Sequence, residues 1–340
     1  MSSPDFIIAK VRGMRGKLYE GERLYGLCSA PSAEELAATL APGEPIGDTI
    51  GLQRHLTAQH IDGLHQILIH LDGWQRQLFL WMLRRYQVEN LKVLLRGWAT
   101  KAEPSLLAMY TVSLPKELAL PTQALMNSPD LEALIAQIPV PQLREGALTG
   151  LGEFEESGRL FFVEAGIDRA YLAELLNRAE RARGEAQTPV RELVDLELDI
   201  YNAMLVLRAL FDYSILFNKV RGLFAPFGAH VGLRVLEEMR HAPDLDAAAQ
   251  LIPPAVLGTR DPAPSADAVE TAMWENLYRA ANRRYYSCVL DFGAIVAFYY
   301  IKRVELRNLI KISEYIRYGE HGGAIRKQLI GRVAEPVGTP

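Results

Sequence analysis

Apolar residues recur at three- and four-residue spacing along most of this 340-residue chain. Leu172, Leu175, Leu176 and Ala179 form one such series. This spacing places apolar side chains on one face of an α-helix. Strands would instead alternate apolar and polar residues, and the chain holds no convincing series of that kind. The pattern therefore predicts an all-α protein.

Clusters of proline and glycine mark where the predicted helices end. They fall at residues 41–45 and 138–141 and along the stretch 243–264. Proline cannot continue a helix in its interior and glycine favours turns, so each cluster predicts a break. We expect the last residues, 331–340, to fray because they are rich in proline and glycine.

The longest wholly apolar stretch, residues 292–301, has ten residues. A helix that spans a membrane needs ~20. We therefore expect no transmembrane segment and interpret residues 289–308 as a buried helix, with Phe292, Val296 and Tyr299 at core spacing. The chain start lacks the basic and apolar regions of a signal peptide, which predicts a cytoplasmic protein.

Similarity within the chain indicates three repeats. A shift of 106 residues aligns residues 163–167 with 269–273 and residues 199–202 with 305–308. A third copy stands earlier, at residues 85–96. Repeats of this kind predict one domain built from similar helical units. The predicted units are residues 1–112, 113–222 and 223–330.

A polar pair stands at the same place in the repeats. In the second and third copies an acidic residue precedes an asparagine by three positions, and such residues share one face of a helix. In the first copy Gln87 takes the acidic place. The pair is either a polar anchor that binds a neighbouring helix or loop, or a row of contacts for a partner. The candidate anchors are Asn90, Asp199, Asn202, Glu305 and Asn308.

Composition excludes some classes of function. The chain has 37 Lys and Arg residues against 41 Asp and Glu, a formal net charge of −4. A general surface for nucleic acid is therefore not expected. The two cysteines, Cys28 and Cys288, lie far apart and form no CxxC pair, which argues against a disulfide framework and against a zinc site.

Basic residues interspersed among the helical signatures are candidates for contact with a partner protein. Two lie near the start of the chain and two lie in the first repeat. For the two near the start, a solvated helix face and contact with anionic lipid head groups are the alternatives. The candidates are Arg12, Arg15, Lys92 and Arg96.

Patterns that carry chemistry are incomplete in this sequence. A P-loop around Gly16 and Lys17 fails because Val11 and Leu18 occupy the required Gly and Ser/Thr positions. The di-iron pattern ExxH occurs once, at residues 238–241, where two copies are needed. We therefore predict no catalytic residue and no cofactor.

Four histidines recur every five residues, which suggests a metal site at first sight. Each step of five turns a helix by about 140°, so the side chains point in different directions and cannot bind one ion. We therefore predict no metal site. The four are His55, His60, His65 and His70.

Four segments match one known family in their order and spacing. They are residues 9–18, residues 85–97, the set Glu164, Asp168, Tyr171, 199–202, Leu207 and Arg208, and residues 300–312. Together, from about residue 7 to about residue 330, they resemble the C subunit of archaeal and bacterial A/V-type ATPases, the counterpart of the d subunit of eukaryotic V-ATPases. Gln87 departs from the acid that the family usually has.

The resemblance implies an architecture and a role. It implies three helical bundles related by a pseudo-threefold axis, which together form a funnel. One end would seat on the membrane ring of proteolipid subunits, and the cavity would receive the central stalk, built from subunits of the D and F type. The protein would be a non-catalytic rotor part of an ion-transporting ATPase, peripheral on the inner face of the membrane.

Two other classes of function stay open on the sequence alone. A helical-repeat scaffold of another complex would show the same periodicity. A helical enzyme could assemble its site from distant carboxylates, and a deep pocket with several buried acids would favour it.

Overall fold

A computed structural model describes residues 4–258, 265–288 and 290–331. All regular elements in this part of the chain are helical, so the all-α prediction is confirmed. The α-helices are α1 (Pro4–Arg15), α2 (Glu22–Leu27), α3 (Ala33–Leu40), α4 (Thr49–Leu68), α5 (Gly73–Thr100), α6 (Pro104–Tyr110), α7 (Thr122–Met126), α8 (Leu131–Ala136), α9 (Pro141–Thr149), α10 (Leu151–Ser157), α11 (Phe161–Ala179), α12 (Gln187–Leu207), α13 (Phe217–Val220), α14 (Leu233–Met239), α15 (Leu245–Gln250), α16 (Pro254–Leu257), α17 (Ala266–Ser287), α18 (Phe292–Arg317) and α19 (Gly323–Arg326). A π-helical turn, Arg208–Asp212, follows α12 directly.

Six long helices contact one another in a closed cycle. They form three pairs, α4 with α5, α11 with α12, and α17 with α18. The second helix of each pair also packs on the first helix of the next, α5 on α11, α12 on α17, and α18 on α4. We call these three contacts the seams of the helix cycle. The pseudo-threefold funnel and the bounds of its three units stay predictions.

The first half of helix α18 is completely buried. All residues from 292 to 301 are buried, including Phe292, Val296 and Tyr299. Burying a large apolar side chain stabilises the fold by about 1.5–3 kcal/mol. The fully buried first half therefore fixes α18 firmly against its neighbours.

The bounds of α18 differ from the predicted helix over 289–308. Residue 289 lies outside the described residues, and the helix begins at Phe292 because the Asp291 carboxylate accepts a hydrogen bond from Gly293 N at 2.5 Å. The helix continues to Arg317, past the predicted end. Its buried stripe continues through Ile312 and Ile316, so packing extends it.

The predicted breaks fall between helices, with one difference. Residues 41–45 follow α3, and residues 138–141 end at Pro141, the first residue of α9. The stretch 243–264 holds the short helices α15 and α16, and its residues 259–264 lie outside the described part. Most of the predicted frayed tail, residues 332–340, also lies outside it.

Two glycines allow α9 to cross α11 at close range. A Cβ atom added to Gly166 would stand 2.2 Å from the carbonyl oxygen of Gly146, closer than real contacts allow. The two backbones therefore touch directly, and this contact fixes the helices between α5 and α11 onto the cycle.

Candidate functional site

Asn202 on α12 binds a distant backbone segment through both ends of its side-chain amide. Its Nδ2 donates to the carbonyl oxygen of Ala225 at 3.2 Å, and its Oδ1 accepts from the amide of Ala225 at 2.9 Å. The side chain is fully buried. A buried amide that is satisfied in this way fixes the segment in one register.

The same two hydrogen bonds occur at two other asparagines. Asn90 on α5 donates to the carbonyl of Val112 at 2.7 Å and accepts from its amide at 3.0 Å. Asn308 on α18 donates to the carbonyl of Ile330 at 2.8 Å and accepts from its amide at 3.0 Å. Each bound residue lies 22 or 23 positions after its asparagine. All three asparagines therefore bind backbone of the protein itself.

The residue three positions before each asparagine binds a second stretch of backbone. The Asp199 carboxylate accepts from the amides of His230 and Val231, both at 3.0 Å. Gln87 instead donates from Nε2 to the carbonyl of Leu118 at 2.9 Å. Burial raises the pKa of Asp199 to about 6, although the two amide donors act in the opposite direction.

The equivalent residue on α18 binds backbone from the other end of the chain. Glu305 accepts from the amide of Tyr19 at 2.7 Å. Burial raises the pKa of Glu305, and the nearby Lys302 ammonium, 3.4 Å away, opposes that shift. The anchored backbone on α18 is thus made of two separate parts of the sequence.

A charged cavity of ≈ 310 Å³ lies between the helices. Its wall comes from α5, α11, α12, α17 and α18 together with the π-helical turn after α12. The charged residues in its lining are six bases, Arg85, Lys92, Arg96, Arg208, Arg303 and Arg307, and four acids, Glu164, Asp168, Glu197 and Glu270.

Ion pairs across the cavity hold the α5–α11 seam. Arg96 donates two hydrogen bonds of 2.6 Å to Glu164, one to each carboxylate oxygen. Asp168 is shared by Lys92 at 2.7 Å and Arg85 at 3.0 Å. Bidentate and shared pairs of this kind fix side-chain geometry as well as charge.

A second set of ion pairs holds the α12–α17 seam. Glu270 on α17 accepts from Arg208 at 2.6 Å and from Arg307 on α18 at 2.7 Å. Burial opposes ionisation of Glu270, but the two guanidinium groups outweigh it and lower its pKa. Arg303 on α18 pairs with the buried Glu197 of α12 at 2.5 Å. Each of the four cavity acids is therefore paired with at least one base, and the lining holds two more bases than acids.

The four basic candidates lie in two places. Arg12 and Arg15 are on α1, where Arg15 pairs with Glu20 and donates to Asn282 at 2.6 Å. Lys92 and Arg96 line the cavity, where the Lys92 side chain is 9% exposed and that of Arg96 is 62% exposed. Contact of these four residues with a partner stays a prediction.

Reasoning from single motifs missed the central charges Glu197, Glu270 and Arg303. The repeat carried a signal for them. The 106-residue shift places Glu164 on Glu270, and both pair with an arginine six positions after an asparagine. Three more cavity residues stand five positions before the three asparagines, Arg85, Glu197 and Arg303.

The histidines occupy separate environments. His60 is buried, with its Nε2 2.5 Å from the Tyr86 hydroxyl, and burial lowers the pKa of His60 well below its usual value. His65 faces Glu117 at 3.5 Å. In the part of the chain that the structure describes, no group of three or more His, Cys, Asp or Glu side chains could hold a metal ion.

The remaining patterns are dispersed as well. Glu238 pairs with Arg234 at 3.0 Å, whereas His241 contacts Arg240 at 2.9 Å. The two side chains of the ExxH pattern therefore have separate arginine partners. Both cysteines are buried free thiols. Across the described ranges, no helix has the length and apolar character needed to cross a bilayer.

The chain is similar to known proteins of one family. A family model described as ATP synthase (C/AC39) subunit matches residues 7–328. Proteins named as the C subunit of A-type ATP synthase are similar to the chain in Haloferax volcanii and Halorubrum lacusprofundi, both at 24% identity over 61% of this chain and 62% of the relative. The chain thus matches about three fifths of the length of these two.

A protein of the same name from Methanothermobacter thermautotrophicus is 22% identical over 95% of this chain and 86% of that relative. The family model runs from within α1 to residue 328, two residues before Ile330, which Asn308 binds. The chain therefore belongs to the ATP synthase (C/AC39) subunit family.

Proposed function

We propose that the chain is a non-catalytic rotor subunit of a rotary V/A-type ATPase, which couples the central stalk to the proteolipid ring of the membrane sector. The observation that carries the proposal is the family match along residues 7–328. Relatives that are named as the C subunit of A-type ATP synthase support it further. In this role the chain is cytoplasmic and peripheral, bound to the inner face of the membrane through the complex.

The proposal includes a threefold architecture. Three helical units around a pseudo-threefold axis would form a funnel, close to the predicted units 1–112, 113–222 and 223–330. The closed helix cycle supports this, and so do the three asparagines that bind backbone in the same way. A part that transmits torque must resist deformation, and packed helices crossed by ion pairs do so.

In this proposal stalk subunits of the D and F type contact the exposed rim of the charged cavity, and the proteolipid ring contacts the opposite end. Arg96 is the best placed contact, because most of its side chain stays exposed beside the cavity although it binds Glu164. Lys92 is largely buried, so we assign it to the seam as well. Arg12 and Arg15 on α1 are kept as candidates for a separate contact.

The chemistry of the cavity disfavours a helical enzyme. A general acid needs a raised pKa near the working pH. The cavity acids are instead paired with arginine or lysine, and the pKa values of Glu197 and Glu270 are lowered. For Glu197, burial acts against this, but Arg303 outweighs it. Acids held in this state stabilise the structure rather than transfer protons.

The test is an affinity-tagged pull-down from gently solubilised native membranes, with the bound chains identified by mass spectrometry. We expect stalk subunits and the proteolipid to be recovered together. R96E should reduce recovery of the stalk, whereas R234E should not, although Arg234 is also exposed and also pairs with an acid. Recovery of neither partner from membranes that contain the intact ATPase would contradict the proposal and favour a scaffold of another complex.

A further inference from the structure

The α18–α4 seam differs from the other two because no chain connection crosses it. Residues 101–160 lead from α5 to α11, and residues 208–265 lead from α12 to α17. The helices α18 and α4 lie toward opposite ends of the sequence, so no connecting segment leads from one to the other across their contact. Separating them therefore requires no strain in a connecting segment.

A neutral residue of α4 supplies side-chain hydrogen bonds at this seam. Gln53 of α4 donates to the Ser313 hydroxyl at 2.9 Å and to Glu314 at 2.6 Å. Among the described residues, no salt bridge joins α18 to α4, whereas ion pairs join both other seams. The seam therefore depends more on other elements to stay closed.

The N-terminal helices lie across this seam. Both α1 and α3 pack on α18 and on α4. Lys10 of α1 donates from Nζ to the carbonyl of Gln66 in α4 at 3.0 Å. The loop after α1 binds α18, since Glu305 accepts from the Tyr19 amide. One segment, residues 6–48, thus bridges the two helices, and we call it the strap.

Polar contacts also fasten the strap to α17. Glu20 accepts from the Tyr278 hydroxyl at 2.5 Å and pairs with Arg15. Arg15 in turn donates to Asn282 and lies over the Tyr285 ring, with the guanidinium carbon 5.6 Å from the ring centre. These contacts form a compact fastening at one place.

The chain end after α18 is fastened to the strap as well. The amide of Gly322 donates to the carbonyl of Cys28 at 2.8 Å, and the Arg326 guanidinium lies 5.3 Å from the centre of the Tyr25 ring. On α5 and α12 the corresponding anchored backbone is one continuous stretch. On α18 the anchored backbone consists of two segments, around Tyr19 and around Ile330, that are not joined in sequence.

We infer that the strap closes the helix cycle and that its release opens the α18–α4 seam while the other two seams stay intact. The strap docks on the cycle as one N-terminal segment, and such a segment can open as a unit with a lower free energy than the whole fold. A consequence that rests on the proposed function is that the protein can loosen its hold on the stalk without unfolding.

Thiol labelling of the isolated full-length chain tests this inference, because the two native cysteines report on different regions. Cys28 is fully buried at the end of α2 in the strap, and Cys288 is buried at the end of α17. We expect E305Q to raise the labelling rate of Cys28 about tenfold and to leave Cys288 unchanged, a loss of about 1.4 kcal/mol in opening free energy. Equal acceleration at both thiols, or at neither, would overturn the inference.

Hydrogen exchange measured by mass spectrometry provides a second readout with a matched control. E305A should speed amide exchange in α1–α3 and leave α8 and α9 unchanged. D199A removes the equivalent anchor on α12 and should speed exchange in residues 225–239 but not in the strap. Uniform acceleration in E305A would indicate global destabilisation and would also overturn the inference. Neither measurement uses a partner, so failure here leaves the proposed function standing.

Discussion

The backbone anchored on α12 and the backbone anchored on α18 show the same hydrogen bonds on different chain connections. Asn202 binds Ala225, and Asp199 binds the residues that follow shortly after, all within one continuous stretch. Asn308 binds Ile330, whereas Glu305 binds Tyr19 from the opposite end of the chain. The same side-chain chemistry therefore organises one segment on α12 and joins two chain ends on α18.

We therefore expect the same side-chain hydrogen bonds to contribute unequally to global stability on the two helices. An anchor on a continuous segment can be lost only with the packing around it. An anchor on a chain end can be lost by local detachment, and the cost is limited to the free energy of docking that end. The comparison can therefore be tested by breaking the same bonds in both places.

The largest effect is expected for N202A. The substitution leaves the buried amide and carbonyl of Ala225 without partners, so we expect the free energy of unfolding to fall by about 3 kcal/mol. N308A removes the same two bonds, but because Ile330 can detach locally we expect about 1 kcal/mol. Urea unfolding followed by circular dichroism measures both. Equal losses in the two variants would contradict the comparison.

A smaller effect is expected at the ion pairs of the seams. Glu270 binds two arginines and its side chain is 16% exposed, so E270Q should cost about 2 kcal/mol of unfolding free energy. E164Q loses the pair with the more exposed Arg96 and should cost about 1 kcal/mol.

The pH dependence of stability tests the assignment of Glu270. Because the pKa of Glu270 is lowered in the fold, its contribution is full above its ordinary pKa and is lost as the pH falls through the lowered value. The difference in unfolding free energy between the wild-type protein and E270Q should therefore become smaller in acid. Urea unfolding at pH 7 and at about pH 3, below the ordinary carboxyl pKa, checks this, and a difference that grew on acidification would refute the assignment.

The smallest effect concerns the acid of the α12 anchor. Burial raises the pKa of Asp199 to about 6, so its contribution is full below its ordinary pKa and is lost as the pH rises through about 6. Relative to D199N, the free energy of unfolding of the wild-type protein should fall by about 1 kcal/mol between pH 5 and pH 7. A variant at Gln87, the neutral counterpart on α5, should show no such dependence. A constant difference between wild type and D199N would contradict the raised pKa.

Much of the fold was predictable from local pattern. Apolar spacing predicted an all-α chain, and the buried Phe292, Val296 and Tyr299 confirm the core face of α18. Local patterns were wrong where helix ends depend on packing. The last long helix was predicted to end at residue 308, but α18 continues to Arg317.

The partners of the polar residues could not be predicted in the same way. Periodicity identifies Asn202 and Glu305 as polar residues on apolar helices, but it carries no information about which distant backbone they bind. The contact between Glu305 and Tyr19 joins residues 286 positions apart, and only the assembled helix cycle brings them together. The ion pair between Arg303 and Glu197 has the same origin, since each residue alone looks like an ordinary surface charge.

The most direct test of the central claim is a bridging assay with purified parts. Proteoliposomes that contain the proteolipid ring are incubated with stalk subunits, with and without the chain, and are then sedimented. If this chain couples the two parts, the stalk should sediment with the liposomes only when the chain is present. The sediment should then contain equal molar amounts of stalk and chain. Sedimentation of the stalk without the chain, or failure of the chain to bind either part, would contradict the account.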